Sequence, residues 1–301
     1  MSEASKKGGG LAGITAGETA IATVGKEGAG LTYRGYDIYD LAENARFEEV
    51  AYLLHHGHLP TEAEYEAYVE TLRSMRGLPD PVKTALEQIP GDAHPMDVLR
   101  SGCSLLGNFE PEGDFGNQAR VADRLLAAFP SMLLYWHRFH ADGERIEVET
   151  DDDSVAGHFL HLLHDKPPTE FHQRVLDVSL ILYAEHEFNA STFTARVIAA
   201  TLSDFHSAVT GAIGALRGPL HGGANEAAMA LIQRFETPGE AEAGIRIALE
   251  AKEKIMGFGH RVYTTSDPRN KVIKKMAAKL ADEVSDERLY PVSEAIEQVM
   301  W

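Results

Sequence analysis

Cysteine is nearly absent from the 301 residues: only Cys103 is present, which rules out an internal disulfide and a multi-cysteine metal centre. Cys103 sits in a stretch of helical spacing between Leu99 and Leu106, which predicts a buried structural thiol rather than a nucleophile. No apolar run approaches the ~20 residues of a membrane span, and the opening MSEASKKGGG lacks the apolar segment of a secretory signal. The expectation is a cytoplasmic protein with no membrane partner. Basic residues are few, 28 Lys and Arg against 46 Asp and Glu, for a formal net charge of -18. That balance argues against nucleic acid as a partner, because binding it depends on Lys and Arg neutralising phosphates. Repeats of a fixed period and low-complexity linkers are also missing, so solenoids and arrays are set aside.

What remains is a chain with 44% hydrophobic residues, long enough for one large domain or two unequal ones. Nearly every segment after residue 37 carries helical spacing. Thr61-Glu62-Ala63-Glu64 reads as a capping box opening a helix that stops near Gly77-Leu78-Pro79, and Asp80-Pro81 starts another. Further helices are predicted over 96–106, over 117–140 with a break at Pro130, and over 154–164. The segments 170–185, 191–203 and 205–216 are apolar on most faces, the pattern of helices buried inside a bundle. Only ITAGETAIATVGKEGAGLTYRGYD near the N-terminus reads as short strands and turns. The fold class is therefore mainly α, with small N-terminal β elements. After the glycine-rich stretch 211–223 hydrophobicity falls and charge rises, which places a domain boundary near residue 221.

Fourteen histidines raise the question of a metal. His158, His161 and His164 recur every third residue and His137 and His140 share that spacing, yet HEFNA at 186–190 is not HExxH and no carboxylate stands as an obvious further ligand. No metal site is expected. His221, in GPLHGGANE at 218–226, lies just before a predicted helix from Asn225 to Phe235. The helix start disfavours a charged imidazole there. A neutral imidazole can donate a hydrogen bond to an oxygen that is gaining negative charge, and Gly222 and Gly223 would admit a ligand close to the backbone. IMGFGHRVY at 255–263 follows a predicted helix over 239–256 that ends at Gly257, and it puts His260 after Gly259 on a glycine-flanked loop. In SDPRNKVIKKM, Asp267 or Ser266 caps a helix, Pro268 takes its first position and Arg269 offers a bidentate fork for a carboxylate. Lys271, Lys274 and Lys275 follow. Residues 252–279 hold eight basic side chains against two acids, either a solvated helix face or the seat of a polyanionic small ligand. AEHEFNAS at 184–191 sets His186 and Asn189 at a junction between apolar helices, where a buried polar pair needs partners and a ligand carboxylate is one candidate.

Five segments, YRGYDIYDLA at 33–42, HEFNASTFTARVIAAT at 186–201, GPLHGGANE at 218–226, GFGHRVY at 257–263 and DPR at 267–269, together resemble the citrate synthase family, in the branch that includes 2-methylcitrate synthases, from about residue 10 onward. The resemblance implies a helical homodimer. In it, residues 1–221 would form a large domain, for dimerisation and oxaloacetate, and residues 222–301 would belong to a small acyl-CoA domain, incomplete and lacking the return to the large domain. The substrates implied are oxaloacetate and an acyl-CoA, acetyl-CoA or propionyl-CoA, with no permanently bound cofactor. It further implies that His221 stabilises the thioester enol and His260 protonates the oxaloacetate carbonyl as carbon attacks. His186 and Arg269, with help from Asn189, would hold oxaloacetate. Gly257, Phe258 and Gly259 would line the acyl-CoA cleft, and Lys271, Lys274 and Lys275 would meet the CoA phosphates.

One family feature has no counterpart here. The family's general base is an aspartate in a PNVD-like segment, and no such segment occurs in these residues, nor do the two further substrate arginines that follow it. Because losing a general base alone commonly costs about 10²–10⁴-fold in rate, a 301-residue polypeptide is expected to be nearly inactive. Release of CoA thiol from acetyl-CoA plus oxaloacetate at an ordinary enzymatic rate would refute that. A non-catalytic relative that binds oxaloacetate or a partner is the competing expectation, and a metal hydrolase a third that elemental analysis would test.

Overall fold

The structure of the protein, a computed structural model, describes residues 16–25, 30–259, 263 and 266–301. Among these residues three short strands precede fourteen α-helices, so the mainly helical expectation holds. Strands β1 (Ala22–Val24), β2 (Leu31–Tyr33) and β3 (Tyr36–Asp37) form an antiparallel sheet in that order, with Ala22 opposite Tyr33 and Val24 opposite Leu31. Then come α1 (Ile38–Asn44), α2 (Phe47–His56), α3 (Glu62–Ser74), α4 (Asp80–Gln88), α5 (Pro95–Phe109), α6 (Gln118–Asp142) and α7 (Val155–His164). The second half holds α8 (Glu170–Tyr183), α9 (Ala190–Ala199), α10 (Phe205–Leu216), α11 (Gly223–Ile232), α12 (Pro238–Glu250), α13 (Pro268–Val284) and α14 (Leu289–Met300). The capping box forms as written: the Glu64 amide donates to the Thr61 hydroxyl at 3.4 Å, and the Thr61 amide donates back to the Glu64 carboxylate at 2.8 Å.

Three apolar cores organise these elements. The first takes Val24, Leu31 and Tyr33 from the sheet, Ile38 and Leu41 from α1, Val50 and Leu53 from α2, and Val178, Ile181 and Leu182 from α8. The second packs α4, α5, α6 and α10 around Leu86, Cys103, Leu106, Met132, Trp136 and Ile213. There Cys103 is fully buried, and burial pushes its thiol up to about 11, as a structural thiol requires. The third joins α12 and α14 through Ala241, Ile245, Val292 and Ile296, with Phe235 and Phe258 against it. Helix α13 does not follow the third core. It lies on α1 and α8, with Val272, Ile273 and Met276 against the first core. The helices after residue 221 thus pack against two different cores.

Several local expectations are corrected. Helix α6 runs unbroken through Pro130 for 25 residues. Pro130 is itself buried, and tertiary packing offsets the one backbone hydrogen bond that proline removes. Helix α12 ends at Glu250 rather than at Gly257, closed by Lys252 in the left-handed region at φ 59°. Most unexpectedly for so apolar a segment, α9 has no buried residue; Val197 and Leu202 are exposed, because among the described residues its main neighbour is α10.

Candidate active site

The end of α8 is fixed before any site residue appears. The Tyr33 hydroxyl, from β2, donates to the Ile181 carbonyl at 3.0 Å and accepts from the Glu185 amide at 3.3 Å. Burial pushes that phenol far up, so it stays protonated as this arrangement needs. Two residues on, Glu187 takes φ 51°, and its carboxylate accepts from the Val24 amide of β1 at 3.1 Å. The sheet therefore clamps the turn that presents His186. It also reaches the start of α13: a Cβ on Gly30 would stand 3.2 Å from the Pro268 Cβ, so glycine permits this approach. One small sheet positions both His186 and the base of Arg269.

His186 and Arg269 are brought together across Tyr263. His186 Nε2 lies 3.2 Å from the Tyr263 hydroxyl, with the two rings edge to face at 5.7 Å between centroids. Burial, and then the charge of Asp267, push the Tyr263 phenol up to about 12. Arg269 sits in the first turn of α13, one-fifth exposed, with Nε 3.0 Å and Nη2 2.6 Å from the Asp267 carboxylate. The same carboxylate caps the helix by accepting from the Arg269 amide at 3.0 Å. Asp267 holds only the Nε–Nη2 edge, and no described residue accepts from Nη1. A buried guanidinium with donors to spare is suited to a carboxylate ligand.

Asn189 follows at the start of α9. Its side-chain oxygen accepts from the Ser191 and Thr192 amides, both at 3.0 Å, and its Nδ2 donates to the Thr192 hydroxyl at 2.9 Å. Its amide caps α9 and so terminates the His186 turn; the helix-start spacing N-A-S-T was the signal for this role.

His221 lies two residues before α11, where a backbone turn returns to the end of α10: the His221 amide donates to the Gly218 carbonyl at 3.0 Å, and its own carbonyl accepts from Ala224 at 3.0 Å. Burial alone lowers its imidazole below the ordinary histidine value, and Nε2 is buried without a partner among the described residues. Neutrality was expected from the helix start; desolvation is the cause the structure gives. The turn itself requires glycine at 222, since a Cβ there would fall 2.6 Å from the Leu216 carbonyl oxygen. The first turn of α11 is tied to the rest by two bonds. Asn225 Nδ2 donates to the Tyr183 hydroxyl at 3.0 Å, three residues before His186. His94 Nδ1 accepts from the Met96 amide at 3.1 Å, so its Nε2 carries the proton and donates to Glu226 at 3.0 Å.

The other expected ligands are scattered. His260 lies outside the described residues. Gly257 and Gly259 adopt left-handed backbone at φ 96° and 80°, and Phe258 packs on the third core. Lys274 is engaged by α14, with Nζ 2.5 Å from Glu297 and 3.7 Å from Glu294. Lys271 stands 5.6 Å from the Tyr39 ring, and Lys275 is exposed. Among the described residues no group of three or more His, Cys, Asp or Glu could hold a metal ion; His158 instead bonds Ser131 and Thr150 inside the fold. A cleft of about 700 Å³ beside α6 and α7 is rimmed by Glu147, Glu149, Asp151 and Asp152, a poor seat for anionic substrates.

In this helical fold the described residues bring one imidazole, His186, and one guanidinium, Arg269, to the surroundings of Tyr263. The family model for the citrate synthase C-terminal domain matches residues 10–301. A 2-methylcitrate synthase of Shewanella oneidensis is 64% identical over the whole of this chain and 80% of its own length. Citrate synthase 2 of Bacillus subtilis is 42% identical over 97% of this chain and 78% of its own. Among solved structures, a citrate synthase of Thermoplasma acidophilum in a ternary complex with carboxymethyl coenzyme A and oxaloacetate superposes with TM-score 0.88 at 32% identity, covering 95% of this chain and 76% of that one. The chain belongs to the citrate synthase family.

Proposed function

We propose that the protein joins a short acyl-CoA to oxaloacetate, forming a carbon–carbon bond between the thioester α-carbon and the keto carbon, with water then releasing CoA thiol. Similarity to the Shewanella oneidensis protein favours propionyl-CoA and a 2-methylcitrate product; acetyl-CoA and citrate are the alternative pair. The observation that carries the reading is the buried His221 Nε2, protein-unpartnered among the described residues, on an imidazole that burial holds neutral. A neutral N–H donor aimed at a thioester oxygen gains strength as that oxygen becomes an enolate, which is differential binding of the transition state. His186 and Arg269 would hold the oxaloacetate carboxylates, and His260 would protonate the keto oxygen as the bond forms. The basic stretch 252–279 would draw both anions toward an otherwise acidic molecule. No residue of this chain is assigned the role of carbon base.

We place the protein in the cytoplasm as a homodimer. The exposed apolar side chains Val197, Leu202, Leu216 and Leu220 on and around α9 and α10 support the second assignment, as a patch that an identical subunit would cover. Among the described residues no helix is long and apolar enough to cross a membrane.

Calorimetry tests the reading in two stages. Oxaloacetate should bind first, and carboxymethyl-CoA, whose carboxylate puts negative charge where an enolate oxygen would form, should bind more tightly once it is present. His221→Ala should weaken the second step by about 10- to 100-fold, the cost of one hydrogen bond to a charged group, and leave the first unchanged. Equal loss in both steps would remove His221 from the acyl side.

A further inference from the structure

Tyr263 was not singled out by the sequence, yet it is the residue through which two site segments meet. It stands three positions after His260, and its hydroxyl lies 3.2 Å from His186 Nε2 on the turn after α8. The two rings meet edge to face at an interplanar angle of 79°, so the contact is directional as well as close. Its hydroxyl also feels the charges of Asp267 and Arg269. We propose that Tyr263 is a positioning residue: by donating a hydrogen bond from its phenolic O–H to His186 Nε2, it favours one flip and one tautomer of that imidazole on the oxaloacetate-binding turn. This deepens the proposed function and rests on His186 being an oxaloacetate ligand.

The direction of the bond follows from acidity. A phenol is a stronger acid than a neutral imidazole N–H, and an imidazole nitrogen is a stronger base than a phenol oxygen, so the O–H donates and the ring nitrogen accepts. The pendant proton of His186 is then on Nδ1. A half-turn of the ring would replace Nε2 by a carbon and lose the bond, so the tyrosine favours one orientation of the ring. Oxaloacetate offers only acceptor oxygens. A ring whose N–H is fixed in place meets them without first paying to be ordered.

Tyr263→Phe keeps the ring and removes the hydroxyl. With histidine labelled by ¹⁵N and His186 assigned by its loss in His186→Gln, the unliganded wild type should show His186 mainly in the Nδ1–H tautomer, and Tyr263→Phe should raise the share of the Nε2–H tautomer. Oxaloacetate affinity by calorimetry should fall about tenfold in Tyr263→Phe, with the melting temperature little changed. The same substitution made in His186→Ala should cost nothing further. An unchanged tautomer, or an unchanged affinity while His186→Ala weakens binding, overturns the proposal. If His186→Ala leaves oxaloacetate binding intact, the assignment of His186 as a ligand fails with it, and the tautomer measurement still reports separately whether Tyr263 orders the ring.

Discussion

Arg269→Gln is expected to weaken oxaloacetate binding on the order of 1000-fold, more than any other single change in the cluster. Truncating one partner of a buried, hydrogen-bonded charge pair costs about 2–5 kcal/mol, and each 1.4 kcal/mol or so is tenfold in affinity. Two losses combine here. The ligand loses a guanidinium, and Asp267, about three-quarters buried, keeps its charge without the Nε and Nη2 donors that now compensate it. That carboxylate would then repel the substrate's own. The double substitution Asp267→Asn with Arg269→Gln should therefore recover about tenfold, since asparagine still caps α13 by accepting from the residue-269 amide while removing the negative charge. Calorimetry on the three proteins checks the cycle. If the double variant binds no better than Arg269→Gln, Asp267 is not the source of the repulsion; if Arg269→Gln binds as well as the wild type, the guanidinium is not a ligand.

How much of this could be read in advance depends on the range of the interaction involved. Helix starts were legible because a cap is settled within four residues: Thr61 with Glu64, and Asp267 before Pro268, stand as their spacing implied. His221 before a helix was legible for the same reason. Interactions between distant segments were not. Nothing local shows that Glu297 takes Lys274, 23 positions away, or that Glu187 reaches Val24 across 163. Pro130 misled because local chemistry says break and tertiary packing overrules it. The apolar pattern of α9 reads as burial, yet this helix has no buried residue, because periodicity marks an apolar face without saying what packs on it. Tyr263 was present in the quoted GFGHRVY; its meaning required knowing that His186, 77 positions earlier, would lie against it.

Stability should also change with pH through one buried acid that has no part in the chemistry. Glu48, 1% exposed on α2, accepts from the Val155 amide at 2.7 Å and so holds the start of α7, while its second oxygen is buried without a partner. Burial pushes its carboxyl from 4.5 to about 7, with Asp177 on α8 and Asp153 adding negative charge; Arg76 also lies within electrostatic reach, as do Tyr65 and Tyr68 of α3. A raised carboxyl pKa means that the folded protein holds the proton more tightly than the unfolded chain between those two values. Stability contributed by this group is therefore lost as pH rises from 4.5 to about 7 and is flat outside that window. The gap corresponds to about 3 kcal/mol in all, of which about 2 kcal/mol falls between pH 8.5 and pH 5.5. Glu48→Gln keeps an oxygen for the Val155 amide and cannot ionise. Whatever constant cost its extra N–H groups bring, the stability of wild type minus variant should rise by about 2 kcal/mol when urea unfolding at pH 8.5 is repeated at pH 5.5. The background change from other groups, Asp177 among them, cancels in that difference. A difference independent of pH would mean that Glu48 is already ionised in the folded protein below pH 5.5, and that water or a rearranged Arg76 reaches the oxygen now left alone.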